Sequence, residues 1–125
     1  MIIDLVDSHP IFLNMLEKLL KQASTDFNVR IFGSLSTPDI LIPKKCADLM
    51  ILGVNAAPGS NEQQEYTNFR KQCPATKVII YYENADSAAV YVDKGVEALI
   101  SKTKDLAELI KCVRTVLGIS LPQDI

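Results

Sequence analysis

Few residues in this chain have the types and spacing that chemistry requires. Asp7, Ser8 and His9 follow one apolar run, Gly53 closes another, and Cys46, Cys73 and Cys112 are scattered between them. In open α/β sheets the chemistry gathers at the carboxyl ends of the strands, so the residue after Leu49-Met50-Ile51-Leu52 should carry a functional side chain. That residue is Gly53, which has none. His9 is the sole histidine, and no Cys, Ser or acid cluster suggests a catalytic role for it, so it reads as a helix-start residue. Asp7 reads as a loop acid facing a helix N-terminus, where the partial positive charge of unpaired N–H groups favours a carboxylate. Asp48 enters its strand at the end opposite Gly53 and cannot replace a side chain there. The cysteines form no CxxC or Cys/His pattern, so metal and disulfide readings are weak and three small reduced thiols are expected. Asp7-Ser8-His9-Pro10 contains no glycine, which argues against a phosphate-cradling loop, and hence against nucleotide-dependent catalysis and flavin binding.

The elements that position these residues follow from periodicity. Ile2 to Val6 is a short strand, and Pro10 suits the first turn of a helix because its missing N–H costs nothing there. From Ile11 to Leu20, Phe12, Leu13, Met15, Leu16, Leu19 and Leu20 recur every three or four residues and form a core-facing stripe. Phe27 to Phe32 suits a strand nearer the sheet edge. Ser36 to Asp39 starts a helix that Pro43 keeps short. Leu49 to Leu52 is an uninterrupted apolar run, read as a central strand buried on both faces and ending at Gly53, with a Pro58-Gly59 loop beyond it. A polar helix over Asn61 to Gln72 is anchored by Tyr66 and Phe69. Val78 to Tyr82 is a fourth strand, Ser87 to Lys94 a short helix capped by Gly95, and Val96 to Ile100 a fifth strand. A last amphipathic helix from Leu106 ends at Gly118. Strands and helices alternating with no room for tight hairpins predict right-handed crossovers, a parallel sheet covered on both faces, and a flavodoxin-like α/β architecture.

The 125 residues suit one domain. With 48% hydrophobic and 22% charged residues and a formal net charge of −2, the composition is that of an ordinary globular protein and carries no basic patch for nucleic acid. No signal-peptide pattern or span-length apolar run is present, and a cytoplasmic setting with no membrane contact is expected.

Three motifs carry a family resemblance. Val6-Asp7-Ser8-His9-Pro10 resembles the Val-Asp-Asp-His-Pro opening of response-regulator receiver domains, particularly those of the LuxR/NarL type. Ala47-Asp48-Leu49-Met50-Ile51-Leu52-Gly53-Val54-Asn55 is similar to their Pro-Asp-Leu-Val-Leu-Leu-Asp-Leu-Asn segment, and Gly95 to Lys102 to their closing Gly-Ala-Asp-Gly-Tyr-Leu-Leu-Lys. The resemblance implies a CheY-like five-stranded sheet in the order 2-1-3-4-5, with a receiver-like domain over residues 1–118. Residues 119–125 would then open a linker, Leu121-Pro122 included, toward a DNA-binding domain. In that family an aspartate ending the central strand accepts a phosphoryl group beside Mg²⁺, two acids after the first strand hold the metal, and a hydroxyl and a lysine orient the phosphoryl oxygens.

Carried over, Asp7 takes the first acid position, Ser8 replaces the second acid, Gly53 replaces the nucleophile, and Lys102 is the lysine. Aligning the fourth strand puts Tyr82 at the hydroxyl position, whereas counting back from Gly95 points to Ile80. Leu99 stands where many receivers carry a switching aromatic. The resemblance thus implies a pseudo-receiver with a vestigial phosphorylation pocket, no metal and no cofactor, and Lys102 pairing with Asp7 as a structural salt bridge. Such a domain would not be an enzyme. It would signal through a protein partner or homodimer, on the face made by the helix of Ser87 to Lys94, the fifth strand and the last helix, with DNA bound only through a downstream domain. Tyr91 and Leu99 are the interface candidates, since tyrosines serve equally as core residues with polar tips and as interface residues. The alternative is a small-ligand sensor using the vacated pocket.

Overall fold

The computed structural model describes residues 1–35, 45–54 and 61–118. Five strands, β1 (Ile2–Val6), β2 (Asn28–Phe32), β3 (Leu49–Val54), β4 (Lys77–Tyr82) and β5 (Ala98–Ser101), form one sheet in the order β2-β1-β3-β4-β5, with every pairing parallel. Four helices are described: α1 (Pro10–Ala23), α2 (Glu62–Gln72), α3 (Ala85–Ala89) and α4 (Leu106–Leu117). The short helix expected after Ser36, the Pro58-Gly59 loop and the linker from residue 119 lie outside the described residues. None of the described helices is long and apolar enough to cross a membrane.

Strand alternation splits the core in two. Ile3, Leu5, Leu49, Ile51, Ile79 and Tyr81 point to one face, where Leu13, Leu16 and Leu20 of α1 and Leu109 and Val113 of α4 cover them. Val6, Met50, Leu52, Val54, Val78 and Ile80 point to the other, packed against Tyr66 and Phe69 of α2 and against Tyr91. Because β3 is central and covered on both sides, all six of its residues are buried, which is why its sequence is an unbroken apolar run.

The helix ends follow local chemistry. Pro10 opens α1 after an extended His9, and the Asp105 carboxylate accepts hydrogen bonds from the Ala107 and Glu108 N–H groups at the start of α4. Gly118 adopts φ +72° and turns its N–H back to the carbonyls of Arg114 and Thr115, a left-handed cap that glycine takes without steric cost.

Besides one-residue shifts at the starts of β2, β4 and α2, three expected boundaries move. β3 runs through Gly53 to Val54, because the parallel ladder with β4 continues to the Val54–Tyr82 pairing. The helix expected over Ser87 to Lys94 is α3 at Ala85–Ala89, started two residues earlier by Asn84, whose side chain accepts from the Asp86 N–H; turns follow it to Gly95. β5 begins at Ala98 rather than Val96, although the Glu97 N–H already reaches the Val78 carbonyl.

The cysteine expectation is overturned. Cys46 and Cys73 form a disulfide, with Cα atoms 5.6 Å apart, and only Cys112 is free. No sequence spacing announces this pair, since the fold alone brings the approach to β3 against the end of α2.

Candidate functional site

The carboxyl ends of β1, β3 and β4 and the residue after β5 converge on one carboxylate. Continuing the alternation of Ile3 and Leu5, Asp7 leaves β1 on the α1/α4 side, and its backbone N–H is held by the Phe32 carbonyl. Its side chain is 1% exposed. One oxygen, Oδ2, accepts from Lys102 Nζ at 2.6 Å; the other, Oδ1, lies 3.0 Å from the His9 backbone N–H and 2.8 Å from His9 Nδ1. Lys102 is itself 12% exposed and is placed by its own N–H, which donates to the Tyr82 carbonyl at 2.7 Å. Glu83 stands 4.0 Å from the ammonium at the rim.

Two stacked rings line this ion pair. Phe12 and Tyr81 have centroids 5.3 Å apart, and Lys102 Nζ lies 5.2 Å and 5.8 Å from them, within the range of cation–π attraction. Burial pushes the Asp7 carboxyl up, but the hydrogen bonds from Lys102 and His9, with the ammonium charge, outweigh it and hold the group below the ordinary carboxylate range. Burial, reinforced by the Asp7 charge, raises the Tyr81 phenol.

The decisive geometry concerns Gly53. A Cβ built there would fall 1.9 Å from Asp7 Oδ2 and 2.6 Å from its Cγ, so the space that a side chain at this position would need is filled by the Asp7 carboxylate. The glycine does not leave an empty slot. Asp7 and Lys102 close it.

Ser8 and Gly53 also border a cavity of about 340 Å³, with Ser34, Asn61, Glu62 and Glu65 among its lining. Glu62 accepts a hydrogen bond from the Tyr91 hydroxyl at 3.0 Å, yet burial and the nearby charges of Glu65 and Asp7 raise its carboxyl. Tyr91 is 1% exposed, meets Tyr66 edge-to-face, and is a core residue rather than a surface anchor. Its ring is too well used in the second cluster to be offered to a partner. Leu99, by contrast, is 37% exposed on β5.

The structure therefore joins Asp7 and Lys102, sets Gly53 against them, and leaves Tyr82 apart. Tyr82 packs on the opposite cluster, and β4 places Tyr81 beside Gly53 in register. Sequence reasoning missed Phe12 and Tyr81 as ring neighbours of the lysine. A signal existed for Tyr81, whose parity with Ile79 puts it on the Asp7 face once the register is known. Also missed was Asp4, buried within β1 and gripped by Arg30 through two hydrogen bonds of 2.6 Å and 3.0 Å.

Magnesium, which the resemblance would bring, does not fit this donor set. Asp7 is committed to Lys102 and His9, Gly53 offers no oxygen from a side chain, and among the described residues no group of three His, Cys, Asp or Glu side chains could hold a metal ion.

With 94% of the chain covered, the structure superposes on a CheY-like response regulator receiver domain protein from Methanospirillum hungatei JF-1 with a TM-score of 0.78, at 17% identity and over 93% of that chain. The fold is that of response-regulator receiver domains. A signal receiver domain of an HD domain-containing protein from Pseudomonas fluorescens Pf-5 gives 0.77 at 22% identity, with 94% of each chain covered. RcsB from Salmonella enterica serovar Typhimurium, bound to promoter rprA in the presence of phosphomimetic BeF3−, gives 0.76 at 20% identity, covering 94% of this chain and 98% of that one. No protein-family profile and no curated protein matches the sequence. Within the receiver fold, the Asp7–Lys102 pair sits at the carboxyl ends of the strands, where such sheets gather their chemistry.

Proposed function

We propose that this chain is a pseudo-receiver: a signalling domain that keeps the receiver fold, works without aspartyl phosphorylation, and acts through protein contacts rather than catalysis. One observation carries the reading. The place where a phosphoryl-accepting side chain would project from position 53 is occupied by the Asp7 carboxylate, held at 2.6 Å by Lys102. The lysine that would neutralise a phosphoryl group is thereby already neutralised, and the one remaining acid is turned away from metal binding. A domain so arranged is not switched by phosphorylation at its strand ends, and its output comes from abundance or partner binding. We place it in the cytoplasm and assign the contact surface to the α3, β5 and α4 face, where Leu99 is exposed, with DNA reached only through a further domain.

Incubation with acetyl phosphate or beryllofluoride and Mg²⁺ tests the reading. Intact mass should show no phosphoryl addition, and Mg²⁺ should leave the melting curve unchanged. Stoichiometric phosphorylation of any aspartate would sink the proposal.

The cavity beside Ser8 and Glu62 favours a second reading, a small-ligand sensor. A ligand-induced rise in melting temperature that Glu62→Gln or Ser8→Val abolishes is its expected sign; a flat response across a metabolite panel removes it.

A further inference from the structure

We propose that Cys46 and Cys73 form a reversible thiol–disulfide exchange site that takes a dithiol at Cys46 and sets how tightly α2 is held to the sheet. The two sulfurs differ in access. Cys46 is exposed, whereas Cys73, the C-terminal cap of α2, is 1% exposed in the second core cluster. A cavity of about 350 Å³, lined in part by Cys46, Asp48, Thr76 and Lys77, opens beside the bridge and gives a reductant room to approach.

The exchange balances as follows. A thiolate of a dithiol attacks Cys46 Sγ, the Cys46–Cys73 bond breaks, and Cys73 leaves as a thiolate that takes a proton. The second thiol of the reductant then displaces Cys46 and closes the reductant's own disulfide. Re-formation runs through a small disulfide such as oxidised glutathione, which leaves as two thiols.

Opening the bridge does not dismantle its surroundings. Thr76 Oγ1 donates to the Ala47 carbonyl at 2.7 Å, the Lys77 N–H to the Asp48 carbonyl at 3.2 Å, the Asp48 N–H to the Ile2 carbonyl at 2.9 Å, and the Ile2 N–H to Asp48 Oδ2 at 2.8 Å. These bonds keep the two thiols in register for closure. The third cysteine is kept out of the exchange by the sheet, since Cys112 packs against the α1/α4 cluster on the other face. The domain also has two apolar cores, unlike small folds that depend on disulfides for want of one.

The consequence falls on α2. Its buried side chains are Tyr66 and Phe69 alone, so the covalent link at Cys73 adds a fixed point at its C-terminal end to the few side chains that dock it. At its other end, about 16 Å away for 11 residues, Glu62 lines the cavity beside Asp7. The bridge state at one pole of the sheet thus bears on the candidate site at the other.

The test uses the full chain in dithiothreitol and in oxidised glutathione. Native reduced protein should be alkylated at Cys46 on peptide mapping, should keep its far-ultraviolet dichroism, and on reoxidation should become two hydrogens lighter with a Cys46–Cys73 linked peptide. Amide exchange across α2 should quicken on the order of tenfold on reduction. A Cys46→Ser variant should show the quick exchange in both buffers. The proposal is overturned if the bridge opens only in denaturant, if reduction unfolds the chain, if Cys112 appears in the reoxidised pair, or if α2 exchange is the same in both states.

Discussion

At the residue scale, Gly53 and Asp7 are one unit. A Cβ at position 53 needs the volume that the Asp7 carboxylate holds, and that carboxylate is fixed from both oxygens. Gly53→Ala should therefore lose about 1–3 kcal/mol in urea unfolding, the usual cost of overpacking. In an Asp7→Ala background that cost should shrink, although Asp7→Ala alone is expensive, on the order of 3 kcal/mol, because it removes the 2.6 Å partner of the nearly buried Lys102 ammonium. Independent, additive losses would disprove the shared space. Acid adds a second check. The folded Asp7 carboxyl titrates below its unfolded range, so its contribution is complete above the unfolded value near 3.9 and is lost as pH falls through the lower, folded one. Asp4 runs the other way: burial dominates its Arg30 contacts and raises it, so its ionisation costs stability as pH rises. Asp7→Asn should flatten the acid slope below about pH 4, and Asp4→Asn should steepen the rise of stability with pH just above it. Stability measured from pH 2.5 to 6 distinguishes the two signs.

At the element scale, α2 and the turns after α3 lean on each other through tyrosines. Tyr91 packs on Tyr66 and donates to Glu62, while the Tyr66 hydroxyl donates to the Lys94 carbonyl at 2.9 Å. Arg70 completes the joint, reaching the Thr76 and Gly95 carbonyls. Tyr91→Ala should cost about 3–5 kcal/mol as a buried cavity, against about 1 kcal/mol for Tyr91→Phe, which loses only the hydrogen bond. A stability change under 0.5 kcal/mol for the alanine variant would return Tyr91 to the surface.

At the scale of the whole molecule, the exposed apolar residues near β5 are the candidates for contact. Leu99 and Val92 are both exposed, and a shallow cavity adjoins Tyr82, Leu99 and Lys104. Sedimentation at high micromolar concentration should show self-association that Leu99→Lys weakens, with stability changed by about 0.5 kcal/mol or less, as for surface substitutions generally. A monomer at all concentrations would exclude a homodimer and leave a different partner. Duplex DNA should not bind these residues, since a net charge of −2 leaves no excess positive charge to drive counterion release.

Periodicity and punctuation determined the alternation of strands and helices, the parallel pairing and most element positions to within a few residues, because burial on two faces or one leaves its pattern in a linear string; the strand order came from the family resemblance. Ile2 to Val6, the apolar run from Leu49 and the stripe from Phe12 needed no neighbours to be read. The loss of a side chain at Gly53 was equally legible, as was the Asp7–Lys102 pair once the family motifs were matched. What occupied the glycine's space was not, because Asp7 and Gly53 are 46 positions apart and meet only when β1 and β3 pair in register. The same holds for Cys46 and Cys73, for Tyr91 turned inward onto Glu62, and for Tyr81 rather than Tyr82 beside the lysine. Each depends on which elements the crossovers bring together and on which face a strand presents there, and those are distances in space that no spacing along the chain encodes.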